Sequence, residues 1–100
     1  MNSQISKIKT YIGFAIKSRD IKYGVDDIIK MRNPKLILAS RILGESSLAK
    51  LNKFAQTKNM EVILLDSGMF LELMQNENIK AIAIENENLA EAINKNLTNI

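Results

Sequence analysis

The chain contains no cysteine and no histidine. Disulfides and thiolate metal sites are therefore excluded, and the commonest general base and metal ligand are missing. No uncharged apolar stretch approaches the ~20 residues that a helix needs to span a bilayer. Residues 1–18 also lack the compact apolar block and the small-residue cleavage site of a signal peptide. We expect a cytoplasmic protein that has no membrane contact, no cofactor and no metal.

Glycine is scarce, and the side chains that support catalysis are not grouped. The four glycines (Gly13, Gly24, Gly44 and Gly68) are isolated, so no glycine-rich loop can cradle a phosphate. Serines are present, but without histidine their activation would need a lysine base, and no motif marks one. Asp26 and Asp27 are adjacent, and on a helix their side chains would diverge by about 100°, too far for a shared acid–base site. We predict that the protein is not an enzyme.

The charge is unevenly distributed along the chain. Residues 1–58 carry twelve Lys and Arg against four Asp and Glu, which gives +8, whereas residues 59–100 carry two against seven, which gives −5. A basic half joined to an acidic half is typical of a surface that binds a polyanion, although lysines that merely solvate helices would give the same asymmetry. The length of 100 residues predicts one domain, residues 1–100.

Apolar periodicity predicts five helices. Ile5, Ile8, Ile12 and Ile16 recur every three or four residues, which predicts a first helix over Ser3–Ser18. The second follows Gly24 and is short, with Asp26 and Asp27 in its first turn and Asn33-Pro34 after its end. The second predicted helix covers Val25–Arg32. The remaining three cover Ser46–Lys58 with Ser46 or Ser47 as N-cap, Ser67–Met74, and the residues after an N-cap at Asn86.

Short apolar runs predict the strands. Ile21–Tyr23 is a very short extended candidate, and three further runs are Leu36–Ala39, Val62–Leu65 and Ala81–Ile84. Because the three longer runs do not alternate with polar residues, as strands they would be buried on both faces. Helices must then cover both sides of the sheet. The predicted fold is an α/β protein, a three-layer α/β/α sandwich with a mixed sheet of about four strands and five helices.

The order of these elements resembles the kink-turn RNA-binding ribosomal protein superfamily, of the L-seven-Ae and L-thirty-e type, and within it the bacterial YlxQ-like branch. The similar segments span most of the chain. They are Ile12-Gly13-Phe14-Ala15 with Lys17-Ser18-Arg19, the glycine-led Gly24–Lys30, the strand Lys35–Ser40, and Ala83-Ile84 followed by Asn86 and Leu89–Ile93.

The resemblance implies a protein that binds bent, internally looped RNA through the N-terminal end of the second helix, in a ribosomal or translational context. The RNA-binding residues it implies are Lys17, Arg19, Lys22, Gly24, Val25, Asp26, Asp27, Lys30 and Arg32. A candidate RNA-contact loop before the last strand contains Met74, Asn76, Asn78 and Ile79. The family begins this helix with Gly, a small residue, Asn and Glu, whereas this chain has Asp26 and Asp27, whose carboxylates only accept hydrogen bonds. Lys30 matches the family's lysine.

Two hypotheses of function follow. The first is non-catalytic RNA binding, with basic side chains on the phosphates and Gly24–Lys30 at a bent loop. The second is a divergent member of the family that serves as a protein-interaction module or homodimer, because Asp26, Asp27 and the acidic loop remove features that RNA reading needs. Tyr23 could stack on a base, although packing in the core is the commoner role of a tyrosine. The sequence leaves the RNA and the oligomeric state open.

Overall fold

A computed structural model describes residues 3–99, and its helices and strands alternate along most of the chain. The element order begins with helix α1, which is followed by a short strand, and every later strand is separated from the next by a helix. The bounds are α1 Ser3–Ser18, β1 Ile21–Tyr23, α2 Val25–Ile28, β2 Leu36–Ser40, α3 Glu45–Thr57, β3 Ile63–Leu65, α4 Ser67–Met74, β4 Ala81–Ile84 and α5 Glu87–Thr98. The predicted α/β fold with four strands and five helices is confirmed.

The four strands form one mixed sheet in the order β1-β4-β2-β3. β2 pairs with β3 in parallel, and β4 runs antiparallel to both β1 and β2. The prediction that the apolar runs are buried on both faces holds for β2 and β4, which lie at the centre. It is wrong for β3, where Ile63 and Leu64 are half-buried because this strand forms an edge of the sheet.

Two apolar cores lie on the two faces of the sheet, because alternate side chains of each strand point in opposite directions. Ile82 and Ile84 of β4 face the core formed with α1, α4 and α5, and Ala81 and Ala83 face the core formed with α2 and α3. The strand residues of this second face include the small side chains of Ala39, Ala81 and Ala83. These two cores establish the three layers of the sandwich.

The first helix has the predicted bounds, but the last buried residue of its apolar stripe is Ala15 and not Ile16. Ile8, Ile12 and Ala15 are buried, whereas Ile16 is 47% exposed. At 100° per residue, Ala15 lies about 20° from the direction of Ile8 and Ile16 about 80° from it, so the stripe passes over Ala15.

Side-chain caps stand at the start of helices α4 and α5. The side chain of Asp66 accepts hydrogen bonds from the N–H groups of Gly68 and Met69, and that of Asn86 accepts one from Leu89, as predicted for Asn86. The prediction of Ser46 or Ser47 as the N-cap of α3 is wrong. That helix begins at Glu45, after Gly44, and has no side-chain cap.

Among the described residues, no helix combines the length and the apolar character that crossing a bilayer requires.

Candidate functional site

The direction of the strands brings four segments to one end of the sheet, where the carboxyl ends of three strands lie. β1, β2 and β3 all end there and β4 begins there, because β4 alone runs in the opposite direction. Backbone hydrogen bonds join these segments: the N–H of Gly24 donates to the carbonyl of Ala81 at 2.9 Å, and that of Ser40 donates to Lys80 at 2.9 Å. In open α/β sheets, ligands bind outside the carboxyl ends of the strands. A binding site is therefore expected at this end of the sheet.

Gly24 connects β1 to α2 in a backbone conformation that other residues rarely adopt. Its φ is 81° and its ψ is 151°, a combination almost restricted to glycine. The conformation is held at both ends, since the N–H of Gly24 donates to Ala81 and the carbonyl of Gly24 accepts from the N–H of Ile28 at 3.0 Å. This backbone conformation therefore explains why a glycine precedes helix α2.

Helix α2 is shorter than the predicted Val25–Arg32 and ends at Ile28. The N–H of Lys30 donates to Asp27 and that of Met31 donates to Ile28, which are the i to i+3 bonds of a tighter turn. Such a turn aligns Ile28 with Met31, and both are buried in the same core. Lys30 and Arg32 consequently lie in a turn after the helix.

The first of two depressions beside α2 lies at the amino end of that helix, and we call it the amino-end depression. Lys50 and Lys80 supply its positive charge, and Asp26 supplies a carboxylate. Lys50 Nζ lies 3.6 Å from Asp26 Oδ1, and because both side chains are exposed, this pair adds about 0–1 kcal/mol to stability. The lining residues are Gly24, Val25, Asp26, Leu43, Ser47, Lys50, Asn78, Lys80 and Ala81.

The second depression lies beside the turn that follows α2, and we call it the turn depression. Its volume is about 390 Å³, and its lining includes three cations and two carboxylates. Buried Met31 belongs to it as well. The lining residues are Lys22, Asp27, Lys30, Met31, Arg32, Asn33 and Glu85.

The structure places Lys17 and Arg19 away from the amino end of α2. Both side chains are exposed at the carboxyl end of α1. This end of the helix precedes the first residue of β1 and therefore lies at the opposite end of the strands. Asp20, the next residue, accepts a hydrogen bond at its carbonyl from the N–H of Glu85 at 2.8 Å, and Glu85 lines the turn depression. Arg19 has a φ of 62°, the left-handed conformation in which a helix commonly ends.

The candidate RNA-contact loop is divided between two depressions and the core. Asn78 lines the amino-end depression, and Asn76 Oδ1 accepts a hydrogen bond from its N–H at 2.9 Å. Asn76 and Ile79 line a third depression, the apolar depression. Met74 is half-buried and packs against the core of the α1, α4 and α5 face.

The apolar depression has exposed apolar walls and a buried hydroxyl. Ile42 is 61% exposed and Leu71 is 46% exposed. Ser40 is buried, and its Oγ accepts a hydrogen bond from the N–H of Ile42 at 3.3 Å. The lining residues are Ser40, Ile42, Ser67, Gly68, Phe70, Leu71, Asn76, Glu77, Ile79 and Lys80.

Three features of this surface were not predicted from the sequence. Lys50 and Lys80 come from segments far along the chain, and only the strand order places them beside Gly24. Tyr23 is 37% exposed, so the expectation of a tyrosine packed in the core is wrong. Lys22 and Gly24, which flank Tyr23 in the sequence, do not indicate whether its side chain is exposed.

Among residues 3–99, no group of three or more Asp or Glu side chains has the proximity needed to hold a metal ion.

No protein-family model and no curated protein matches the chain. A solved structure does match it: a protein with unknown function from Bacillus halodurans C, with a TM-score of 0.77 and 14% sequence identity. The match covers 92% of this chain and 97% of the other. At this identity the similarity establishes a shared fold.

Proposed function

We propose that the protein binds RNA without catalysis, in the cytoplasm and in a ribosomal or translational context, and that the RNA is bent or resembles a kink-turn. The observation that carries the proposal is the pair of basic depressions at the two ends of α2. Lys22, Lys30 and Arg32 lie in the turn depression, and Lys50 and Lys80 lie in the amino-end depression. The element order that resembles the kink-turn superfamily adds to it.

The charges along α2 favour a polyanion. Its two depressions hold five cations against three carboxylates. Asp26 is paired with Lys50, so its charge is partly neutralised. Contacts with phosphates supply affinity that does not depend on the base sequence, and they fix the register of a protein on RNA.

The exposed apolar side chains of the neighbouring surface favour RNA with accessible bases. The A-form major groove is too narrow for side chains to read, so RNA is read at loops and bulges whose bases are unstacked. Tyr23 is next to Gly24 in the chain and exposed, and a base stacked on an aromatic ring contributes about 1–3 kcal/mol. Ile42 and Leu71 of the apolar depression provide a second surface for such a base.

The two carboxylates of α2 restrict which base edges can be read. The carboxylates of Asp26 and Asp27 can accept hydrogen bonds but cannot donate them. They therefore favour contact with the amino groups of bases and disfavour contact with carbonyl oxygens. Asp27 shares the turn depression with Lys22 and Lys30. A phosphate held by these lysines would bring the attached nucleotide close to an acceptor.

The test is a filter-binding titration at low salt with an RNA that contains an internal loop. Lys30→Ala should weaken binding about three- to tenfold, because one charge-assisted phosphate contact contributes about 1 kcal/mol. Lys95→Ala is the matched control, since Lys95 is exposed on α5, on the other face of the sheet. No retention of RNA by the unmodified protein, or equal losses in the two variants, would contradict the proposal.

A second candidate function is a protein-interaction module or homodimer. The exposure of Ile42 and Leu71 around the apolar depression favours it, since apolar patches on a surface commonly mark contact sites for other proteins. Under this alternative, the unmodified protein binds no RNA at low salt. Ile42→Ser would then weaken an association that sedimentation detects.

A further inference from the structure

Lys58, immediately after α3, makes two contacts that fix its side chain. Its Nζ donates a hydrogen bond to the backbone carbonyl of Arg32 at 2.8 Å. The same atom lies 5.8 Å from the centre of the Phe54 ring, within the range of a cation–π contact. The side chain is half-buried, so it is more confined than a free surface lysine.

The backbone that receives this hydrogen bond makes few polar contacts of its own, although Pro34 is buried. Residues 32–34 belong to no helix or strand, and within the described chain they take part in no backbone–backbone hydrogen bond. The nearest such bonds are those of Met31 to Ile28 and of Lys35 to Ile84. The hydrogen bond from Lys58 is therefore the polar contact that holds residues 32–34 between Met31 and Lys35.

Arg32 and Asn33 both line the turn depression, so the geometry of this segment decides where the guanidinium of Arg32 lies. We infer that Lys58 is a positioning residue: it orders the Arg32–Pro34 segment so that Arg32 meets an RNA phosphate. This inference rests on the proposed function and adds a residue to it. Ordering a segment before binding removes an entropic cost that would otherwise be incurred on binding.

A direct contact between Lys58 and phosphate is the competing explanation, and the two differ in how they depend on Arg32. If Lys58 acts through Arg32, its removal has no effect once Arg32 is gone. If Lys58 contacts phosphate itself, its removal costs the same affinity with or without Arg32. A double-mutant cycle separates these cases.

The cycle uses Lys58→Met, which keeps an apolar stem for Phe54 and removes the donor. We expect this substitution to weaken RNA binding by about three- to tenfold in the unmodified background, the cost of ordering one segment on binding. With Arg32→Ala we expect less than about a twofold effect. Lys53→Met is the matched control, because Lys53 is exposed on α3, the helix that Lys58 follows, and its loss should leave affinity unchanged.

Equal losses in both backgrounds, or no loss in either, would overturn the inference while RNA binding stands. Relaxation of ¹⁵N in the free protein gives a readout that a direct contact would not move: Lys58→Met should increase the backbone mobility of Arg32 and Asn33. Unchanged mobility would also overturn it. Failure of the proposed function is recognised separately, because the unmodified protein would then bind no RNA.

Discussion

The affinity for RNA should fall roughly 100-fold as the salt concentration rises from about 50 to about 200 mM. The two depressions beside α2 present five cations, and four to five phosphate contacts are the most that this surface supports. Each neutralised phosphate releases about 0.9 of a condensed counterion in a duplex and about 0.7 in a single strand, and added salt opposes that release. The measurement is the slope of log K against log salt concentration in filter binding.

The slope also identifies which cations contribute. Lys30→Ala should make it shallower by about one unit or slightly less, because one contact is lost. Lys95→Ala, with the same change of charge on α5, should leave the slope unchanged. A slope near zero would show that phosphates are not the main contacts, and it would exclude the electrostatic account of this surface.

Gly24→Ala should destabilise the protein by about 1–3 kcal/mol, because the backbone of Gly24 lies in a region where a side chain is strained. Beyond the two neighbouring residues of the chain, no atom lies within 4 Å of the position that a Cβ would occupy, so the cost comes from the backbone and not from a collision. The chain cannot easily relax, since hydrogen bonds with Ala81 and with Ile28 fix both sides of this residue. Urea unfolding monitored by circular dichroism measures the change in the free energy of unfolding.

Gly13→Ala is the matched control, with an effect of opposite sign. Gly13 lies in the interior of α1, has equally open space where a Cβ would stand, and has no positive φ. Alanine in a helix is more favourable than glycine by about 0.5–1 kcal/mol, so this variant should be more stable than the unmodified protein. Two variants of equal stability would contradict the assignment of strain to Gly24.

Much of the fold could be predicted because local patterns and tertiary packing agree. The spacing of Ile8 and Ile12 and the N-cap at Asn86 predicted α1 and the start of α5, and the structure confirms both. The unbroken apolar runs of β2 and β4 correctly predicted strands that are buried on both faces, since such strands do not alternate apolar with polar residues.

The errors occur where tertiary contacts decide the local structure. The sequence predicted that Lys30 and Arg32 lie in the last turn of a helix. Ile28 and Met31 are instead buried together in one core, which favours a tighter turn. The apolar run of β3 looks like that of β2, and periodicity alone cannot tell an edge strand from a central one. Strand order is a property of the whole sheet.

The same limit applies to the candidate site. Gly24 was predicted from the family resemblance, whose glycine-led helix this chain shares. Lys50 and Lys80 were not, because they reach that glycine only through α3 and through the antiparallel pairing of β1 with β4. The Lys58 hydrogen bond joins residues 26 positions apart and has no sequence signal either.

The most direct test of the central claim is to map the RNA footprint by ¹H–¹⁵N chemical shifts as an internally looped RNA is added. The largest changes should fall at Lys22, at Gly24–Asp27, at Lys30–Arg32 and at Asn78–Lys80, with little change in α5. Changes centred on α5, or none at a saturating concentration of RNA, would contradict a binding surface along α2.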